Sequence, residues 1–227
     1  MKVCTDACVL GAYANVGVGP GGNAGENWVE RILDIGTGTG LLALMAAQRN
    51  PAARIDAVEI DDQAFAQATE NVRNSPFIDR INVTHARIQE FMGEGAYDRI
   101  LTNPPFYTNH LRSPDAAVNR ALHTDDLPVD DLIRAVIRLL RPGGQWWVLL
   151  PPYETEKLIE QTKSLGLWVF QRLFVRHHAQ KPPFRVVTGF SFDSLPIADQ
   201  MLTIYEPDGR TYTDEFRNLL RAFYLIF

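Results

Sequence analysis

Two short segments carry residues whose types and spacing could do chemistry. Leu33-Asp34-Ile35-Gly36-Thr37-Gly38-Thr39-Gly40 reads as a buried strand running into a glycine loop, with a helix over Leu41–Arg49 behind it. Glycines let the backbone approach a ligand and the helix N-terminus faces it, which is the build of a nucleotide-cofactor site. Asn103-Pro104-Pro105-Phe106 follows another apolar strand, Tyr97–Thr102, and sets a side-chain amide and a rigid diproline at its carboxyl end. Taken alone, that motif also suits a simple turn after a strand. In an open α/β sheet the strand C-termini form the ligand-binding edge, so both segments open onto the same crevice. Glu59 closes a further strand, where an acid can accept both hydroxyls of a ribose. Asp61 and Asp62, just beyond, suit the cap of the next helix.

The elements that must position these residues alternate along the chain. Strand signals fall at Arg31–Ile35, Arg54–Ile60, Ile81–His85, Tyr97–Thr102, Gln145–Leu150, Trp168–Val175 and Val186–Phe192. Helical stretches lie at Leu41–Arg49, Asp62–Asn74, Val129–Leu140 and Tyr153–Leu165. That alternation predicts an α/β fold with a parallel sheet and crossover helices. The tail Met201–Phe227 reads as a strand, a Pro207-Asp208-Gly209 turn and an amphipathic helix over Asp214–Tyr224. Val16–Gly25 holds five glycines and a proline but follows no strand and lacks the Gly-Lys-Ser/Thr ending of a phosphate loop, so it reads as a flexible connector. Tyr107–Leu127 is a long polar stretch, a length that in compact domains marks a functional or disordered loop. A chain of 227 residues suits one well-cored domain, with 1–25 as N-terminal segment and connector and 26–227 as the core.

The balance of residues excludes several classes. Hydrophobic content of 46% and charged content of 22% describe an ordinary soluble globule. No apolar run is long enough to cross a bilayer and no secretory pattern opens the chain, which points to the cytoplasm. A net charge of −5 argues against a surface coated in positive charge. The stretch Gln171–Arg185 nevertheless holds Arg172, Arg176, Lys181, Arg185 and two histidines without one acid. It is either a solvated edge or a patch for a polyanion. Cys4 and Cys8 lack the further local ligands of a zinc site, and adjacent His177 and His178 on a strand point to opposite faces, so no metal is expected. Nothing in the sequence indicates a protein partner.

The glycine loop and the Asn-Pro-Pro-Phe motif, in this order and one sheet apart, resemble the class I S-adenosylmethionine-dependent methyltransferases that methylate an amino or amide nitrogen. The resemblance implies a Rossmann-like seven-stranded sheet, mostly parallel and finished by an antiparallel C-terminal hairpin, with S-adenosyl-L-methionine as cofactor. The spacing of Gly36, Gly38 and Gly40 departs from the Gly-x-Gly-x-x-Gly of nicotinamide sites. Asp34 would hold the cofactor's ammonium group, directly or through water; its alternative role is to cap the loop's backbone amides. An acid at the end of the third strand usually contacts the adenine amino group in this superfamily. Here the stretch reads His85-Ala86-Arg87-Ile88-Gln89, with Arg87 in the acid's place, which passes that contact to backbone groups at Ala86 and Ile88.

The same resemblance assigns the reaction. An exocyclic adenine amine is a poor nucleophile because its lone pair is delocalised into the ring. The Asn103 side-chain oxygen and the Pro104 carbonyl can accept both amine hydrogens, while Phe106 stacks on the extruded base. The proton leaves after methyl transfer, so no strong general base is needed.

The segment Lys2-Val3-Cys4-Thr5-Asp6-Ala7-Cys8-Val9-Leu10-Gly11-Ala12-Tyr13 is similar to the opening of bacterial tRNA (adenine-N6)-methyltransferases, which modify adenine 37 beside the anticodon of a valine tRNA. Similarity runs on through Leu33–Gln48, Asn103–Phe106 and Ala222-Phe223-Tyr224-Leu225. It implies tRNA as partner and a role for Lys2, Thr5 and Asp6 in closing the cofactor site; the long loop and the basic stretch, which flank the catalytic edge in this topology, are then expected to grip the tRNA. Asp6 also suits the cap of a helix starting at Ala7. The loop departs from the family's Ala-Arg-His/Tyr-Thr, reading Ala121-Leu122-His123-Thr124. Rival enzymes are a protein glutamine N5-methyltransferase and an rRNA guanine N2-methyltransferase, which carry extra domains. A non-catalytic binder of S-adenosylmethionine or RNA is the reading from another class, and would have no need of the Asn103–Phe106 motif.

Overall fold

The computed structural model describes residues 5–17, 29–93, 95–104 and 127–226. Lys2, Cys4, Pro105, Phe106, the loop 107–126 and the connector 18–28 lie outside the described residues. In chain order the described elements are α1 (Thr5–Tyr13), β1 (Arg31–Ile35), α2 (Leu41–Arg49), β2 (Arg54–Glu59), α3 (Asp62–Arg73), β3 (Ile81–His85) and β4 (Tyr97–Thr102). There follow α4 (Val129–Leu139), β5 (Leu140–Leu150), α5 (Pro152–Lys163), β6 (Trp168–Arg176), β7 (Arg185–Ser191), β8 (Ala198–Thr203) and α6 (Asp214–Leu220).

One sheet runs β3-β2-β1-β4-β5-β7-β6-β8. The pairs β1–β2, β2–β3, β1–β4 and β4–β5 are parallel, and β7 is antiparallel to both β5 and β6. The antiparallel hairpin is thus present, but the strand count among the described residues is eight rather than seven, because the tail strand β8 adds in parallel to β6. The chain moves outward from β1 to β3 and then crosses back to β4 on the other side. The crevice between β1 and β4 is therefore the switch point at which ligands bind in such sheets.

Burial explains the order. Every residue of β4 is buried, as a central strand covered on both faces requires. Consecutive Trp146 and Trp147 on β5 point to opposite faces and anchor separate cores. The Trp147 core takes in residues of α1, α2 and α6, and the Trp146 core takes in α4, with Leu132, Ile133, Val136 and Leu139 on one helical stripe. β8 is exposed over most of its length and forms an edge. The first helix begins at Thr5, which puts Asp6 inside its first turn rather than at the cap of a helix starting at Ala7.

Candidate active site

The register places the two signal segments side by side. Ile35 pairs with Thr102, so Gly36 and Asn103 leave neighbouring parallel strands at one level, a lateral separation of about 4.8 Å. The glycine loop is hooked onto β2, with the Gly36 and Thr37 N–H groups donating to the Val58 carbonyl at 2.9 and 3.1 Å. Asn71 of α3 steadies it from behind by donating to the Thr39 carbonyl at 2.8 Å. Gly36 has φ +68°, and a Cβ built there would meet nothing within 4 Å. The backbone turns left-handed against open space, where a side chain would be strained and would fill the crevice.

Asp34 is fully buried beneath this loop. Its Oδ2 accepts from Thr37 Oγ1 at 2.5 Å and from the Ala43 N–H in the first turn of α2 at 3.1 Å. The capping role is therefore real, yet among the described residues Oδ1 is buried without a hydrogen-bond partner. Burial, partly offset by those two bonds, pushes the carboxyl up to about 7. A buried acceptor left unpaired is costly, and a bound cation is one way of satisfying it. Thr37 was not singled out in the sequence; a hydroxyl three residues after a strand acid and inside a glycine loop is the signal for it.

Glu59 is buried and ties three segments together. Its Oε2 accepts from the Gly38 N–H at 2.7 Å, and its Oε1 accepts from the N–H groups of Ile60 and Asp61 at 2.9 and 3.0 Å. Asp61 caps α3 through the Ala64 N–H at 2.8 Å. At the end of β3 the Ala86 N–H already donates to the Glu59 carbonyl at 3.0 Å, and Arg138 of α4 donates to the Ile88 carbonyl at 3.0 Å. Of the two backbone positions expected to receive an adenine, the Ala86 amide and the Ile88 carbonyl are thus engaged inside the protein. His85 stacks on Phe65 with centroids 4.9 Å apart, and its Nε2 lies 2.9 Å from the Ile60 carbonyl.

Asn103 and Pro104 sit half-buried at the end of β4. Thr102 beneath them is held by Trp146 Nε1, which donates to its hydroxyl at 3.0 Å. Among the described residues, no group hydrogen-bonds the Asn103 side chain. Phe106, the stacking residue of the motif, lies outside the described residues.

The remaining sequence candidates separate. Thr5 is exposed. Asp6 is buried and pairs with Arg185, whose Nε donates to its Oδ2 at 2.8 Å. One expected cofactor contact and one expected tRNA contact thus meet each other. Arg172 makes a bidentate pair with Asp199 at 2.8 and 2.7 Å and also reaches Glu156 at 3.4 Å. Arg176 donates to Thr203 Oγ1 and to the Ala179 carbonyl. Lys181 is exposed on the hairpin joining β6 and β7. Among the described residues no group of three or more His, Cys, Asp or Glu side chains could hold a metal, and no helix is long and apolar enough to cross a membrane.

This arrangement belongs to a class. Residues 24–163 match the family model of the methyltransferase small domain, and the chain is a member of that family. Its fold is similar to that of an Agrobacterium tumefaciens protein described as a predicted O-methyltransferase, with a TM-score of 0.70, 17% identity and 95% of each chain covered. A ribosomal protein L11 methylase from Lactobacillus delbrueckii subsp. bulgaricus shares it at a TM-score of 0.54 and 15% identity, over 82% of this chain and 76% of that one. More narrowly, the chain is 47% identical to a tRNA1(Val) (adenine(37)-N6)-methyltransferase of Dyadobacter fermentans, over 100% of this chain and 92% of the relative. A relative of the same name from Trichodesmium erythraeum is 39% identical, over 99% and 91%. The chain belongs to the family of these tRNA methyltransferases.

Proposed function

We propose that this protein transfers a methyl group from S-adenosyl-L-methionine to the N6 amine of an adenine in tRNA, at position 37 of a valine tRNA. The observation that carries the reading is the level pairing of Ile35 with Thr102, which sets the glycine loop and the Asn103 amide at one crevice. Relatives of that printed activity match over essentially the whole chain, which supports the substrate and makes the glutamine, guanine and non-catalytic alternatives the weaker readings.

The residues fit the cofactor. Open space at Gly36, the unpartnered Oδ1 of Asp34 and the Glu59 carboxylate offer room, a partner for an ammonium group and an acceptor for ribose hydroxyls. When bound, the cofactor supplies an electrophilic sulfonium methyl. The protein's own part is positioning: the Asn103 side-chain oxygen and the Pro104 carbonyl accept the two amine hydrogens and draw the nitrogen lone pair out of the ring. Pro105 stiffens this corner and Phe106 stacks on the base once it has left its own stack. The proton then passes to solvent. By the family resemblance the N-terminal segment with Lys2, Thr5 and Asp6 helps close the site, Asp6 being tied to Arg185, and the whole chain acts as one methyltransferase domain. A tRNA substrate places the protein in the cytoplasm.

The test is nucleoside mass spectrometry of tRNA incubated with the protein and S-adenosyl-L-methionine, with nuclease mapping of the product. N6-methyladenosine at position 37 supports the reading. A methylated guanine, or a methylated glutamine in a protein substrate, would replace it with one of the alternatives.

A further inference from the structure

The hairpin between β6 and β7 carries an aromatic stack whose inner ring, Phe184, packs against the Trp147 core and whose outer ring, His177, faces solvent. His177, exposed, lies face to face with Phe184, with centroids 4.2 Å apart and planes 1° from parallel. The Arg185 guanidinium covers the Phe184 ring at 5.6 Å and is itself held by Asp6. The backbone under the stack is fixed. The Phe184 N–H donates to the Val175 carbonyl at 2.9 Å, and the His177 carbonyl accepts from the Tyr205 N–H at 2.8 Å.

Its place on the sheet follows from register. Thr102 of β4 pairs with Val148 of β5, and Leu150 of β5 pairs with Val186 of β7. The hairpin therefore rises past the level of Asn103 on the same edge. β7 lies two strands from β4 and β6 lies three, a lateral distance of roughly 10–15 Å. Arg185 lies over the Phe184 ring, Lys181 is exposed on the same hairpin, and the sequence from 171 to 185 contains no acid.

A preorganised aromatic face in a basic setting, beside a site that handles an extruded base, is how proteins hold unpaired nucleotides. We propose that His177, backed by Phe184, is a stacking platform for an unpaired base of the RNA loop that flanks the target adenine, with Lys181 on an adjoining phosphate. This rests on the tRNA reading above and adds a binding residue to it.

The test measures tRNA affinity, cofactor affinity and methylation kinetics for the wild type, His177→Ala, His177→Phe and Lys181→Ala. Because His177 is exposed, folding is not at stake, and thermal melting checks it. His177→Ala should weaken tRNA binding about 10- to 100-fold and raise KM while kcat at saturating tRNA and cofactor affinity hold. His177→Phe should stay within about twofold of wild type, since any flat ring can stack. Lys181→Ala should lower the slope of log affinity against log salt by about one. Wild-type tRNA affinity in His177→Ala, or a His177→Phe variant as weak as the alanine, overturns the platform while tRNA methylation by the wild type leaves the function standing. A wild-type protein that neither binds nor methylates tRNA overturns both.

Discussion

From the end of β2, Glu59 accepts the Gly38 N–H at 2.7 Å, so the acid proposed to hold the ribose also shapes the glycine loop. Its other oxygen gathers the N–H groups of Ile60 and Asp61, and the three bonds orient the carboxylate before a ligand arrives. On the proposed reading, Glu59→Ala removes a contact to the ribose and frees the loop at once. Calorimetry should show cofactor binding weakened by at least about 1.5–3 kcal/mol, the range for a lost hydrogen bond to a charged group. Wild-type affinity in this variant would leave Glu59 a purely structural tie.

Asp34 makes stability depend on pH in a direction opposite to that of most carboxylates. Its folded value of about 7 lies above the ordinary 3.8. As pH rises, the unfolded chain releases this proton first, near 3.8, and the folded chain holds it until about 7. Across that window the Asp34 contribution to stability falls as pH rises, by as much as about 4 kcal/mol. Asp34→Asn retains an oxygen to accept from Thr37 and Ala43 and removes the charge. Its melting temperature in the absence of cofactor should exceed that of the wild type at pH 8, and the gap should close toward pH 5. A gap that is the same at both values would mean that Asp34 does not titrate between them.

The basic stretch divides into residues that hold the fold and residues that face solvent. Arg172 is spoken for by Asp199 in a two-bond pair, and its charge is cancelled locally. Arg172→Ala should leave the salt slope of tRNA binding unchanged, whereas a phosphate-contacting residue would lower it by about one. Filter binding across a salt series reads the slope directly, and a drop of one for Arg172→Ala would return that residue to the RNA surface.

Arg185 and Asp6 couple the hairpin to the first helix. The pair is partly buried, so removing either partner should cost more than an exposed pair, whose usual worth is about 0.2–1 kcal/mol. A double-mutant cycle on Asp6→Asn and Arg185→Gln, followed by denaturant unfolding, should give a coupling energy above about 1 kcal/mol. Additive effects would mean that the helix is held on the sheet without the pair.

These relationships mark where the sequence was readable. β1 and β4 have the boundaries their apolar runs suggest, because each run is stopped by Gly36 or by Asn103-Pro104 and both strands are central. β8 is harder: only Leu202 is buried along it, so no alternation announces that the tail strand completes the sheet. The partners of Arg172 and Arg185 were illegible for another reason. Asp199 lies 27 positions away and Asp6 lies 179, and only the order of strands brings them together. His177 and Phe184 meet because a hairpin turns between them, which spacing alone leaves unspecified. Asp34 and Glu59 were legible as acids at strand ends, but their backbone partners depend on the loop's exact path.

The proposed methyl transfer depends on Asn103, whose amide sits one residue past Thr102 and level with the glycine loop. Positioning of the amine acts on the transition state, so Asn103→Ala should bind S-adenosyl-L-methionine as the wild type does and transfer methyl to tRNA at least about 100-fold more slowly. The measurement is the single-turnover rate of N6-methyladenosine formation in tRNA by the two proteins, with cofactor affinity determined in parallel. Equal affinity and a rate lower by that factor are the predicted result. An Asn103→Ala protein that methylates tRNA at the wild-type rate would reduce the motif to a turn and contradict the account.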